Sequence, residues 1–163
     1  MLENNDRYFE VLNEIKKTLI VTRNKIVESA NKDLILAYYN IGQKLIENNK
    51  WGSSFIDTLA KDLKITFPDL KGLSARNLRY MQKFATEYDN DEFLQGVLAK
   101  LSWNHNQTLL DKIKDKKQRN WYAKESVKNG WSVSILTHQI ASKLYERQAM
   151  LENKTTNFDK TLP

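Results

Sequence analysis

Five pairs in this sequence place an acid two positions before a lysine, the order in which metal-dependent phosphodiester cleavage uses them: Glu14/Lys16, Asp62/Lys64, Asp69/Lys71, Asp115/Lys117 and Glu152/Lys154. Pro68 before Asp69 adds the first half of a Pro-Asp…Asp/Glu-x-Lys nuclease signature. Such a centre needs its carboxylates held together on rigid elements. These pairs fall instead on expected helices, a turn and a tail, and a chain with 20 acidic residues produces them by composition alone. Neither His105 nor His138 has a second histidine or a carboxylate three or four positions on, so no zinc-ligand spacing is present. The chain has no cysteine, which excludes disulfides, thiolate metal sites, Fe–S clusters and cysteine nucleophiles. The phosphate-cradling glycine motifs are absent too. The residues point to no metal, no cofactor and no catalytic group.

Binding chemistry is better represented. Lys71, Arg76, Arg79 and Lys83 lie between Asp69 and Glu87 with no acid among them. Ser74 is a suitable helix cap, and the helix behind it carries Leu78, Met81, Phe84 and Ala85 inward with its basic residues outward. A helix, a turn containing Gly72 and a Ser-capped basic helix outline a helix-turn-helix-like unit near residues 55–87. Its turn is longer than the usual three to four residues. The N-terminal turn of a recognition helix offers N–H groups and a hydroxyl to phosphate, while arginine and asparagine reach base edges. The expected contacts are therefore Lys71, Ser74, Arg76, Asn77, Arg79, Tyr80 and Lys83, with Asn77 suited to an adenine edge or to a second cap.

A second basic run spans Lys112 to Lys128, diluted by Asp115 and Glu125, and offers Lys112, Lys116 and Arg119 as phosphate contacts. His105 joins them as a phosphate contact or catalytic base or, alternatively, a capping or packing residue. A basic run also arises on any solvated helix face, and that reading stands beside the functional one. Ser132, Ser134 and His138 form a further candidate in the second half of the chain.

The elements that must position these residues are helices. Five Gly and two Pro are too few for the turns of an all-β fold. Phe9, Leu12, Ile15, Leu19 and Ile26 recur at helical spacing over Asp6–Ser29, as one buried stripe. Asn31 can cap a second helix with Leu34, Ala37, Tyr38, Ile41 and Leu45 inward. Gly42 inside that helix would let a neighbour approach closely. After the break Trp51-Gly52-Ser53-Ser54, a third helix ends at Pro68, a fourth starts at Ser74, and a short fifth covers Glu92–Leu101. Further helices are expected near Asn106–Lys114, Lys117–Lys128 and Ser132–Arg147. The expected fold is an all-α compact bundle of about seven or eight helices. Residues 1–150 form the helical domain, in lobes of about 1–100 and 101–150 sharing a core, and 151–163 a linker or disordered tail.

A length of 163 residues allows one such domain, and four Trp, seven Tyr and six Phe supply core bulk despite an apolar content of 40%. Tyr39, Trp51, Trp103, Trp121 and Trp131 suit either the core or an apolar interface. The net charge of +6 favours anionic partners; residues 101–163 hold the excess, 11 basic against 6 acidic. A polar, acidic start, no long apolar run and no cysteine fit a cytoplasmic protein without a membrane partner.

Several ordered motifs resemble a known family. They are Tyr38-Tyr39-Asn40-Ile41-Gly42-Gln43; Trp51-Gly52 followed by Leu59-Ala60-Lys61-Asp62-Leu63; Phe67-Pro68 leading to Gly72-Leu73-Ser74-Ala75-Arg76-Asn77-Leu78 and Met81; Leu101-Ser102-Trp103-Asn104-His105; and Gly130-Trp131-Ser132-Val133 with Gln139-Ile140 and Leu144-Tyr145-Glu146-Arg147. Over about residues 10–150 they resemble the helical N-terminal domain, of unknown function, that precedes a PD-(D/E)xK nuclease domain in bacterial YhcG-type proteins. Leu101-Ser102 to Leu109-Leu110 and Gly130–Val133 are also similar to ParB-type DNA-binding domains. The resemblance implies a nucleic-acid-handling protein whose catalytic half lies outside these residues, with the tail as connector. Three functions compete: a module that targets an attached nuclease to nucleic acid, duplex DNA above all; a protein-interaction or dimerisation module forming a homo-oligomer; and a small metal-dependent nuclease.

Overall fold

In the computed structural model every element among the described residues is helical. The backbone is described over residues 2–48, 52 and 54–161, and the side chains at 17, 20, 21, 24–48, 52 and 54–153. In chain order come α1 (Leu2–Glu47), α2 (Ser54–Thr66), α3 (Ala75–Glu87), α4 (Glu92–Gly96), a 3₁₀ turn (Leu98–Lys100), α5 (Trp103–Lys112), α6 (Lys116–Asn129), α7 (Val133–Ala141) and α8 (Leu144–Thr161). The all-α expectation is met.

Asn31 does not start a helix, because α1 runs through it. Its side-chain amide donates instead to the carbonyls of Ala99 and Leu101, both at 3.0 Å, so the polar group that could have capped a helix fastens α1 to the 3₁₀ turn. Of the stripe expected over Asp6–Ser29, the side chains of Phe9, Leu12, Ile15 and Leu19 lie outside the described residues, while Ile26 is 62% exposed rather than buried. Trp51 and Ser53 also lie outside them.

At the other end the single helix expected over Ser132–Arg147 is two. Lys143 takes a left-handed φ of 59°, the chain turns, and Tyr145 N–H donates to the Tyr122 hydroxyl at 3.0 Å while its ring packs edge-on against Trp121. A tertiary anchor on α6 thus outweighs local periodicity. Residues 151–161, expected to be a linker or disordered tail, continue α8, and no Gly or Pro interrupts the stretch from Leu144 to Thr161. α5 begins at Trp103 rather than Asn106 because the Ser102 hydroxyl accepts from His105 N–H at 3.1 Å.

The core is built where α1 crosses α3. Ile35 and Tyr39 of α1 meet Phe84 and Ala85 of α3, and this cluster continues through Leu94, Leu98, Leu109 and Leu110 to Tyr122 and Leu136. Residues on both sides of position 100 therefore share one core. A second cluster joins Tyr38 and Leu45 to Ile56, Leu78 and Met81, and so seats α2. Gly42 lies at the crossing as expected: a Cβ there would stand 2.7 Å from the Met81 carbonyl carbon and 2.8 Å from Ala85 Cβ. Trp103, Trp121 and Trp131 pack against the first cluster half-buried.

Arg119, expected at a phosphate, is 1% exposed. Its Nε donates to the Tyr88 hydroxyl at 2.8 Å, Nη1 to the Ile113 carbonyl at 3.2 Å and Nη2 to Glu87 at 2.7 Å. This guanidinium ties α6 to the end of α3 and is not offered to a ligand. Burial pushes the Tyr88 phenol above its usual range, against the opposing pull of Arg119.

Two substitutions test this frame. Gly42→Ala, which on an open helix would stabilise by about 1 kcal/mol, is expected to destabilise by about 2 kcal/mol, because Met81 backbone occupies the space; a raised urea midpoint would contradict the crossing. Arg119→Ala is expected to cost about 3 kcal/mol by urea denaturation, the lower end for a broken buried pair because Glu87 reaches water. An unchanged midpoint would mean that the guanidinium is not a structural clamp.

Candidate nucleic-acid interface

The polar feature that organises one end of the molecule is the Asn77 side chain. Its Oδ1 accepts from Trp103 Nε1 at 2.7 Å and from Gln107 Nε2 at 3.0 Å, and its Nδ2 donates to the Gly72 carbonyl at 2.6 Å. These bonds tie α3 to its own preceding turn and to α5. Asn77 is therefore a clamp, and the expectation that its amide meets an adenine edge is corrected: its hydrogen-bonding groups are engaged within the protein. Gly72 stands at φ 89° with the Tyr38 hydroxyl pressed against it, a position a side chain would fill. Burial raises the Tyr38 phenol above its ordinary value, and a hydrogen bond with Asn77 draws it back.

Beside this clamp runs an open polar groove of about 580 Å³. Ser74, Arg76 and Tyr80 line it from α3, and Asn104, Gln107, Thr108 and Asp111 from α5; Tyr38, Asn77 and Trp103 lie between them. The α5 residues recur at i, i+3, i+4 and i+7, which is one helix face. Val133, the first residue of α7, completes the lining. The groove thus meets the beginnings of three helices, each capped by a serine hydroxyl: Ser74 accepts from Asn77 N–H, Ser102 from His105 N–H and Ser132 from Ile135 N–H. Helix N-termini present unpaired N–H groups and a partial positive charge.

His105 holds two of those ends in place. Its Nε2 lies 2.7 Å from the Trp131 carbonyl and its Nδ1 2.6 Å from the Ser102 hydroxyl. A carbonyl can only accept, so Nε2 carries the proton and, in the neutral ring, Nδ1 accepts from the hydroxyl. The expected phosphate contact is a staple between α5 and the turn before α7.

The other expected residues divide. Ser74, Arg76 and Tyr80 reach the groove, with the Arg76 guanidinium over the Tyr80 ring at 5.8 Å and the Tyr80 hydroxyl donating to Asp111 at 2.7 Å. Arg79 and Lys83 share the exposed side of α3 with Arg76. Arg79 pairs with Asp57 of α2 at 2.9 Å, both well exposed, and Lys83 donates to the Leu110 carbonyl at 3.3 Å. An exposed ion pair holds its partners by less than about 1 kcal/mol, so Arg79 can exchange Asp57 for another anion. Lys71, Lys112 and Lys116 are exposed outside the groove lining.

Sequence reasoning missed Asn104, Gln107, Thr108 and Asp111. Their signal was present as a polar face at helical spacing behind a serine cap. The turn between α2 and α3 runs from Phe67 to Ser74, while the three-residue connection usual for a helix-turn-helix occurs at Gly130-Trp131-Ser132, between α6 and α7. Gly130 there takes φ 62° and closes α6. Of the acid-x-Lys pairs, Asp115 caps α6 by accepting from Gln118 N–H, Asp69/Lys71 lies in the exposed α2–α3 turn and Asp62/Lys64 on α2. The side chains of Glu14, Lys16 and Lys154 lie outside the described residues. Among the described residues no three of His, Asp and Glu gather in a group fit to hold a metal ion, and no helix is long and apolar enough to cross a membrane.

Comparison with known proteins adds a lineage to this geometry. The chain is 27% identical to the Escherichia coli (strain K12) protein described as "Putative nuclease YhcG", in an alignment of 179 residues that covers 86% of this chain and 46% of the relative. The chain thus spans about half the length of that relative. No solved structure matches. Residues 14–147 match the family model described as DUF1016 N-terminal domain, a span that takes in the α1–α3 crossing, the Asn77 clamp and all three capped helix starts. The chain belongs to the DUF1016 N-terminal domain family.

Proposed function

We propose that this chain is a nucleic-acid-binding module of a nuclease, that it takes duplex DNA along the groove between α3 and α5, and that the catalytic centre it serves lies outside these residues. The observation that carries the proposal is the meeting of three serine-capped helix starts at one polar groove that also holds Arg76. Helix N-termini and hydroxyls suit phosphate oxygens, and arginine and side-chain amides suit base edges. Arg76 is the first reader; Asn104 and Gln107 face the same space, and Asp111 suits a cytosine amino group. Lys71, Lys112 and Lys116 act outside the groove as sequence-independent phosphate contacts. The printed description of the relative, a nuclease, supports nucleic acid as the ligand class.

Binding on this basis is strongly salt-dependent. Four to eight phosphate contacts give a slope of log K against log salt of about −0.9 per contact, read by titrating the chain against duplex DNA, duplex RNA and single strands. Arg76→Ala with Asn104→Ala is expected to weaken duplex binding by about 1 to 3 kcal/mol per lost base contact, and Lys112→Ala with Lys116→Ala to weaken it uniformly across sequences. A slope near zero, or wild-type affinity in the folded Arg76/Asn104 variant, would refute the groove as the interface. With Mg²⁺ or Mn²⁺ the purified chain is expected to leave plasmid and single-stranded DNA intact. Cleavage that survives repurification and vanishes in Asp69→Asn would place a catalytic centre here after all.

A further inference from the structure

The turn that leads from α2 to the groove is all surface: residues 64–71 are exposed without exception. It nevertheless carries two large apolar side chains, Phe67 at 46% and Leu70 at 60% exposure, and neither belongs to either core cluster. The Phe67 carbonyl accepts from Leu70 N–H at 3.1 Å, with Pro68 and Asp69 at the corners. That is a β-turn, whose two ends stand within about 7 Å of each other, so the apolar pair forms one tip.

The tip is held still from both sides. Phe67 N–H donates to the Leu63 carbonyl at 2.8 Å and closes α2, and the Gly72 carbonyl is fixed by Asn77. Gly72 lines the groove, and Leu70 is two residues from it, at most about 7 Å of chain. A duplex rises about 3.4 Å per base step, so two steps of a duplex lying along the groove span the distance to Leu70. This continuity names the occupant of the tip. Lys64 and Lys71 stand on either side of the apolar pair against the single acid Asp69, which leaves residues 64–71 net positive and suits them to the phosphates flanking a base step. Rigid apolar side chains beside cations are the means by which proteins part stacked bases and kink a duplex.

We infer that the α2–α3 turn is a wedge: with duplex DNA in the groove, Phe67 and Leu70 enter at one base step, unstack it and kink the duplex. The inference rests on the groove being the duplex site. Insertion removes from water the apolar surface that the free chain leaves exposed, and it places an aromatic ring against a base face. Unstacking costs least at flexible pyrimidine–purine steps, so the wedge gives the chain a preference for TA and CA steps without a hydrogen bond to their edges.

The full 163-residue chain is titrated into duplexes dye-labelled at both ends, one set with a single TA step moved along the sequence and one with an A-tract in its place. Binding is expected to raise energy transfer between the ends, to expose a thymine at the TA step to permanganate, and to be tighter for TA than for the A-tract. Phe67→Ala with Leu70→Ala should abolish the kink and weaken binding roughly tenfold while leaving the salt slope unchanged, because no phosphate contact is lost. Phe67→Trp should keep the kink, and Lys64→Gln with Lys71→Gln should lower the slope instead. Near-UV circular dichroism of the half-buried tryptophans checks that each variant keeps its fold. A bound duplex that stays straight, or wild-type affinity and kinking in the Phe67/Leu70 variant, would overturn the wedge and leave the groove standing. A wild-type chain that binds no duplex at low salt would remove the groove reading and the wedge with it. Binding to phosphatidylserine vesicles that the double variant loses, with its DNA affinity unchanged, would assign the tip to a membrane surface and overturn the wedge as well.

Discussion

The arrangement rests on one side-chain amide that has no group left over. Asn77 holds the Gly72 carbonyl, the Trp103 indole and the Gln107 amide at once, and it sits in the first turn of α3 beneath the Ser74 cap. An amide in that position converts a long turn into a fixed one, since the turn carbonyl has a protein partner rather than solvent. Through Trp103 the same amide reaches the core: the indole stands edge-on to Tyr38 at 4.9 Å and to Phe84 at 5.3 Å. The groove is thus set by the packing that holds the α1–α3 crossing, and its shape is a consequence of the core.

How much of this could be read from the sequence depends on the range of each interaction. Ser74, Gly42 and the inward set Leu78, Met81, Phe84 and Ala85 were legible because a cap, a close approach and a helical stripe are local patterns. The burial of Arg119 was not legible, because its partners Glu87 and Tyr88 lie 32 and 31 positions away and nothing nearby distinguishes it from the solvated lysines around it. Asn31 misled for the same reason: it has the residue type of a cap, and it is used across the fold on carbonyls 68 and 70 positions away. His105 left a packing role and a phosphate contact both open, and only the carbonyl 26 positions away shows how it is engaged. The break between α7 and α8 was invisible because the hydroxyl that fixes it belongs to Tyr122.

The site followed the same rule. The outward basic face of α3 was legible from its spacing, whereas the opposite wall needed the α3–α5 contact before Asn104 and Gln107 could be seen as neighbours of Arg76. Polar faces on separate helices become one surface only when the packing between them is known.

The net charge of +6 also changes meaning once the partners are visible. Arg119 is withdrawn into the core, Arg79 is shared with Asp57 and Lys83 is turned onto a carbonyl, so the two basic runs together offer fewer free cations than their count. What compensates near the groove is charge that composition does not register. Each helix start contributes roughly half a positive charge through its unpaired N–H groups, and three of them meet there. Unlike a lysine ammonium, that charge loses no side-chain entropy on meeting a phosphate and is fixed in direction by the helix that carries it. A groove built in this way favours an anion held in a defined position over a loosely gathered one.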